Sequence, residues 1–135
     1  MLNKYVFITP TIMDIGGAQT YIYSKACFLE KQGFKVVIVT SYKGERILNF
    51  SCPHYYYEEL YFSPCEYCKK KREKIITSII ESTHVDCDTI IESSTITMGQ
   101  WAEFIAERIN AKHLCYSLEE NFSIKKRSLY VFLKF

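Results

Sequence analysis

The chain has almost no surplus charge of either sign: 17 lysines and arginines against 15 aspartates and glutamates leave a formal net charge of +2. Binding led by nucleic-acid phosphates needs a concentrated basic face, so no nucleic-acid partner is expected. Long apolar runs are also missing. No segment approaches the length of a membrane span, and the stretch from Tyr5 to Ile8, closed off by polar residues and Pro10, is too short for a signal-peptide core. A cytoplasmic chain, soluble or peripheral to a membrane, is the expectation. Histidine is scarce as well. His54, His84 and His113 share no spacing that suggests a triad or a metal pair, so no catalytic histidine is visible.

A reducing compartment keeps most of the six cysteines as free thiols. Cys27, Cys87 and Cys115 fall inside apolar patterns, where a buried cysteine is a small hydrophobe. Cys65 and Cys68 form a CxxC, and Cys52 and His54 lie upstream as CPH, which puts four possible zinc ligands in one segment. A CxH spacing is unusual for a tight tetrahedral site and no second CxxC accompanies it. The expectation is therefore no metal, with a structural zinc or a redox pair as alternatives. Asp86 and Asp88 make a DxD, but they precede a strand, which suits a helix-to-strand turn better than a nucleotide-metal site.

What the chain does have is a core: 48% of its 135 residues are hydrophobic, enough for one domain. Tyr5 to Thr9 and Val36 to Thr40 read as continuous apolar strands on either side of a helix, and Tyr55 to Tyr57 as a third strand. Ile75, Ile76, Ile79 and Ile80 line one face of a second helix. Its basic start, Lys69 to Arg72, opposes the helix dipole and predicts a first turn that frays or begins later. A strand follows at Asp88 to Ser94, then a helix carried by Met98, Trp101, Ala102, Ile105, Ala106 and Ile109, then a strand at Lys112 to Leu118. Glu119 to Phe122 reads as a loop and Ser123 as the N-cap of a last helix. This alternation predicts an α/β, Rossmann-like open parallel sheet with helices on both faces. The basic clusters Lys69 to Lys74 and Lys125 to Arg127 read as solvated helix faces, or else as contacts for an anionic membrane surface or an acidic sugar acceptor.

Gly16 and Gly17 stand where the first strand hands over to its helix, a place where the backbone must turn tightly and the helix amides favour an anion. The ordered set YVFIT at Tyr5 to Thr9, GGAQ at Gly16 to Gln19, Ala26, Leu29, Gly33 and VVIVT at Val36 to Thr40 resembles the start of GT-B glycosyltransferases of the retaining family 4. Two positions depart from that pattern. Lys25 replaces a usual apolar residue and Phe34 a common histidine, which touches fine packing more than function.

The resemblance implies that residues 1–135 form the acceptor-side N-terminal domain of a glycosyltransferase, truncated before a C-terminal nucleotide-sugar-binding domain. The apolar ending Ser128 to Phe135 agrees with a chain that continues, and it leaves the truncated domain prone to self-association. A nucleotide-diphosphate sugar is then co-substrate rather than cofactor, and a glycan or lipid-linked molecule the acceptor. In the family, the glycine loop lies against the diphosphate and acceptor, and the loop after a later strand supplies a residue, often a histidine, near the reacting sugar. Here that loop reads SLEEN, so Glu119, Glu120 or Asn121 would stand in its place. Glu119 is the catalytic candidate, and Gly16, Gly17, Gln19, Ser93, Glu120 and Asn121 are the substrate-binding candidates. Two other classes compete. A nicotinamide oxidoreductase wants GxGxxG and an acidic end to the second strand, and DIGGAQ and Val39-Thr40-Ser41 supply neither. A non-enzymatic binding domain would use the glycines only as a turn.

Overall fold

The computed structural model describes residues 3–10, 17–41, 51–117 and 128–132. Strands β1 (Lys4–Thr9), β2 (Lys35–Thr40), β3 (His54–Tyr56), β4 (Ile90–Ser93), β5 (Lys112–Ser117) and β6 (Ser128–Phe132) form one sheet in the order β3-β2-β1-β4-β5-β6. All five pairings are parallel, and β1 is central, between β2 and β4. The expected Rossmann-like sheet is therefore present.

Strand side chains alternate between faces, and β1 divides accordingly. Tyr5 and Phe7 pack with Ile22, Ala26 and Leu29 of helix α1 (Gly17–Lys31) and with Val36 and Ile38 of β2. Val6 and Ile8 point to the other face, against Ile75, Ile76 and Ile79 of α2 (Lys69–Thr83) and Trp101, Ala102 and Ile105 of α3 (Ile96–Ile109). Burial on both faces is why β1 and β2 read as unbroken apolar runs. Between α1 and β2 the chain turns through Gly33, whose φ of 93° an L side chain rarely adopts.

Several boundaries differ from expectation. The third strand is shifted by one residue, to His54–Tyr56, and β4 starts later, at Ile90. Before it, Asp86 and Thr89 close the expected helix-to-strand turn. The Asp86 N–H donates to Thr89 Oγ1 at 3.0 Å, and Asp86 Oδ1 accepts from the Asp88 N–H at 2.9 Å. Helix α2 begins at Lys69 despite its cationic first turn. The buried isoleucine face holds the helix, and two of the cations sit over aromatic rings: Lys71 Nζ lies 5.3 Å from the ring centroid of Tyr67 and the Arg72 guanidinium 4.8 Å from that of Phe104.

The expected last helix is corrected over 128–132, which form β6, paired in register with β5 from His113↔Ser128 to Ser117↔Phe132. SLYVF is short, aromatic and β-branched, and a parallel neighbour with free backbone groups gives it a ladder. Ser123 itself lies outside the described residues. Among the cysteines, Cys115 is buried as expected, but Cys27 and Cys87 are exposed. Cys27 falls on the outer side of α1 and Cys87 in the turn before β4, so an apolar neighbourhood in sequence did not become burial.

Candidate functional site

In an open parallel sheet the ligand crevice lies beyond the carboxyl ends of the strands, where the strand order reverses. Here the reversal falls between β1 and β4. Gly17 is the first residue of α1 and Ser93 the last of β4, so both stand at this rim. The rim is tied together by short polar contacts. Ser94 Oγ donates to Thr9 Oγ1 at 2.9 Å, the Ser94 N–H to Ile8 O at 3.3 Å, and the Ser41 N–H to Pro10 O at 3.2 Å. Thr95 caps α3 by accepting from the Met98 N–H at 3.2 Å. The N-terminus of α1 has no acidic residue in its first turn, which leaves its amides without a competing carboxylate from that turn. Gly16, Glu119, Glu120 and Asn121 lie outside the described residues, as does the side chain of Gln19.

Ser93 is buried, at 1% exposure, and belongs to a line of three groups on three elements. Its Oγ lies 2.7 Å from His113 Nε2 on β5, and His113 Nδ1 lies 3.1 Å from Glu103 Oε2 on α3. An ionised Glu103 can only accept, so Nδ1 carries the imidazole proton and Nε2 accepts from the Ser93 hydroxyl. Burial holds the His113 pKa below its ordinary value, against the opposing pull of Glu103. The Cys115 thiol, pushed up by burial, also meets the Ser93 hydroxyl, and an added Cβ at Gly99 would come within 3.3 Å of its Sγ. The order serine, histidine, carboxylate is that of a nucleophile and its base, but the serine is enclosed. Its hydroxyl serves to lock β4, β5 and α3 together behind the rim.

A second polar cluster lies under α1. Lys25 Nζ donates to Glu92 Oε1 at 2.6 Å and to Tyr21 OH at 3.1 Å, and Tyr5 OH donates to the same carboxylate oxygen at 2.5 Å. The ammonium also sits 5.2 Å and 5.6 Å from the ring centroids of Tyr5 and Tyr21. Burial pulls the Lys25 pKa down, but bonding to Glu92 and to the tyrosine hydroxyls outweighs it, so the net shift is upward. Tyr5 is raised by burial and then by the Glu92 carboxylate. Lys25, read from the sequence as a departure, thus has a built counter-ion one strand beyond β1.

The four cysteine-segment ligands do not converge. Cys52 is buried in the core under α1, while Cys65 and Cys68 are exposed beside the start of α2, and His54 Nε2 lies 2.7 Å from Thr40 Oγ1. Among the described residues no group of three or more histidine, cysteine or acidic side chains is placed to hold a metal, and no helix is long and apolar enough to cross a membrane.

Spacing gave no sign of either polar cluster. Ser93, Glu103 and His113 are joined only by the packing of α3 on β4 and β5, and Lys25 and Glu92 are 67 residues apart. The one available signal was the isolated charge itself: Glu92 sits inside the apolar strand IIES and needs a cation once that strand is buried. No family model and no curated protein matches the chain.

Proposed function

We propose that the chain is the acceptor-side, N-terminal domain of a GT-B glycosyltransferase resembling retaining family 4, which transfers a sugar from a nucleotide-diphosphate donor to a glycan or lipid-linked acceptor. The observation that carries this reading is the glycine-led start of α1 at the switch point between β1 and β4. Amides at such a helix start favour phosphate oxygens, and a glycine lets them approach closely. Retaining transfer of this kind depends on stabilising the departing diphosphate. On this reading Gly16, Gly17 and Gln19 lie against diphosphate and acceptor. Glu119, Glu120 and Asn121 border the reacting sugar, and a second Rossmann-like domain holds the nucleotide. The enzyme works in the cytoplasm, at or near a membrane that carries the acceptor. Ser93 contributes by fixing the rim, since its hydroxyl is committed to His113.

The test is a titration of the chain with UDP, GDP, NAD and inorganic pyrophosphate, followed by amide chemical shifts. Shifts at the start of α1 with the nucleoside diphosphates, lost in Gly17→Val while the fold persists, support the reading. Preference for NAD, or parallel loss of binding and folding in Gly17→Val, overturns it. The chain alone should transfer no sugar, because this crevice is one wall of the expected site.

A further inference from the structure

The segment between β3 and α2 is built rigidly yet turns two large aromatics outward. Two short 3-10 turns, Glu58–Tyr61 and Pro64–Glu66, are anchored from behind. Leu60 is fully buried, Trp101 Nε1 donates to Phe62 O at 2.8 Å, Ser63 Oγ to Gln100 Oε1 at 2.9 Å, and Tyr67 OH to Glu59 O at 2.9 Å. Tyr61 and Phe62 are nevertheless 67% and 51% exposed, with ring centroids 5.2 Å apart and planes at 84°. Such a pair presents ring surface to a partner at little ordering cost, because the backbone beneath it is already held. It follows directly on β3 and is tied to the first turns of α3, so it belongs to the same rim of the sheet as the crevice.

We propose that Tyr61 and Phe62 form a stacking platform for a neutral sugar ring of the glycan acceptor. The inference rests on the acceptor-side reading for its ligand class and deepens it by naming a subsite. The flanking charges favour a sugar over an anionic lipid surface. Glu58 and Glu66 are exposed and lie on either side of the pair in sequence, Glu59 is partly exposed, and of the basic run that starts at Lys69, Lys71 is turned onto the Tyr67 ring. Carboxylates beside an aromatic face accept hydrogen bonds from sugar hydroxyls, whereas they repel anionic headgroups. A sugar pyranose offers an apolar C–H face to the ring and hydroxyls to its rim, which matches this mixture.

The experiment titrates the purified chain with linear glucan, mannan and chitin oligosaccharides and follows tyrosine fluorescence and amide shifts. Vesicles of phosphatidylglycerol are tested by co-sedimentation. Binding of at least one oligosaccharide, weakened about tenfold by Tyr61→Ala and by Phe62→Ala, is expected. Lys69→Ala should leave it unchanged, and the urea midpoints of the two aromatic variants should stay near wild type. Absence of binding to every oligosaccharide, equal binding by the alanine variants, or vesicle binding that requires Tyr61 and Phe62 would each overturn the platform. Failure of the transferase reading registers separately, in the nucleotide response at Gly17, which Tyr61→Ala should not alter.

Discussion

Replacing Lys25 with methionine strands the Glu92 carboxylate, which is only 5% exposed in its side chain and is left with neutral donors such as the Tyr5 hydroxyl in place of a counter-ion from this cluster. Removing one member of a buried ion pair typically costs about 3–5 kcal/mol. Lys25 is 29% exposed, so water already screens part of the pair, and about 2–3 kcal/mol is the expected loss for Lys25→Met. With a urea m-value of about 1–3 kcal/mol per molar, the unfolding midpoint should fall by about 0.7–3 M at unchanged m. Lys25→Met combined with Glu92→Gln removes both charges while leaving an acceptor for Tyr5, so it should recover most of that loss. The alkaline limb adds a second readout. The folded pKa of Lys25 is raised above its unfolded value of 10.5, so its stabilisation is complete below that pH and is lost as pH rises through the folded value. Tyr5, also raised, loses stability in the same direction above its unfolded value of 10.0. Lys25→Met should flatten the lysine's share of this decline. A single variant within about 0.5 kcal/mol of wild type, or a double variant as unstable as the sum of its parts, would refute a cooperating buried pair.

The remaining expectations concern other elements. His113 has a folded pKa below its unfolded 6.5, so stability should drop as pH falls from 6.5 toward the folded value, and His113→Asn should remove that dependence, as urea melts across the acid range would show. Thr95→Ala deletes the cap of α3 and should cost about 1 kcal/mol, with Thr95→Ser restoring most of it; calorimetry would register the difference. Metal analysis of purified chain should find no stoichiometric zinc, and one tightly held zinc per chain would mean that Cys65 and Cys68 recruit ligands from elsewhere.

The elements most legible in the sequence were those whose pattern is set by burial on a fixed side. Val36 to Val39 are all buried, which only a strand covered on both faces requires, and the α3 series from Met98 to Ile105 repeats the helical period against one wall. Gly33 marked the end of α1 because its φ of 93° excludes most other residues. These are local demands, and local composition answers them.

Where partners come from distant segments, composition was silent or misleading. Ser128–Phe132 could extend a helix or a strand, and the ladder along β5 decided for the strand. Lys69 to Arg72 argued against a helix start until Tyr67 and Phe104 supplied rings for two of the cations. Lys25 looked like a misfit until β4 brought Glu92 beneath α1, and the three elements that carry Ser93, Glu103 and His113 meet only in the packed sheet. The sequence by itself determined the alternation of strands and helices, because the hydrophobic period of each segment is its own property. Tertiary structure alone decided which polar groups pair, because a buried charge or hydroxyl is satisfied by whatever the packing of remote segments places within hydrogen-bond reach.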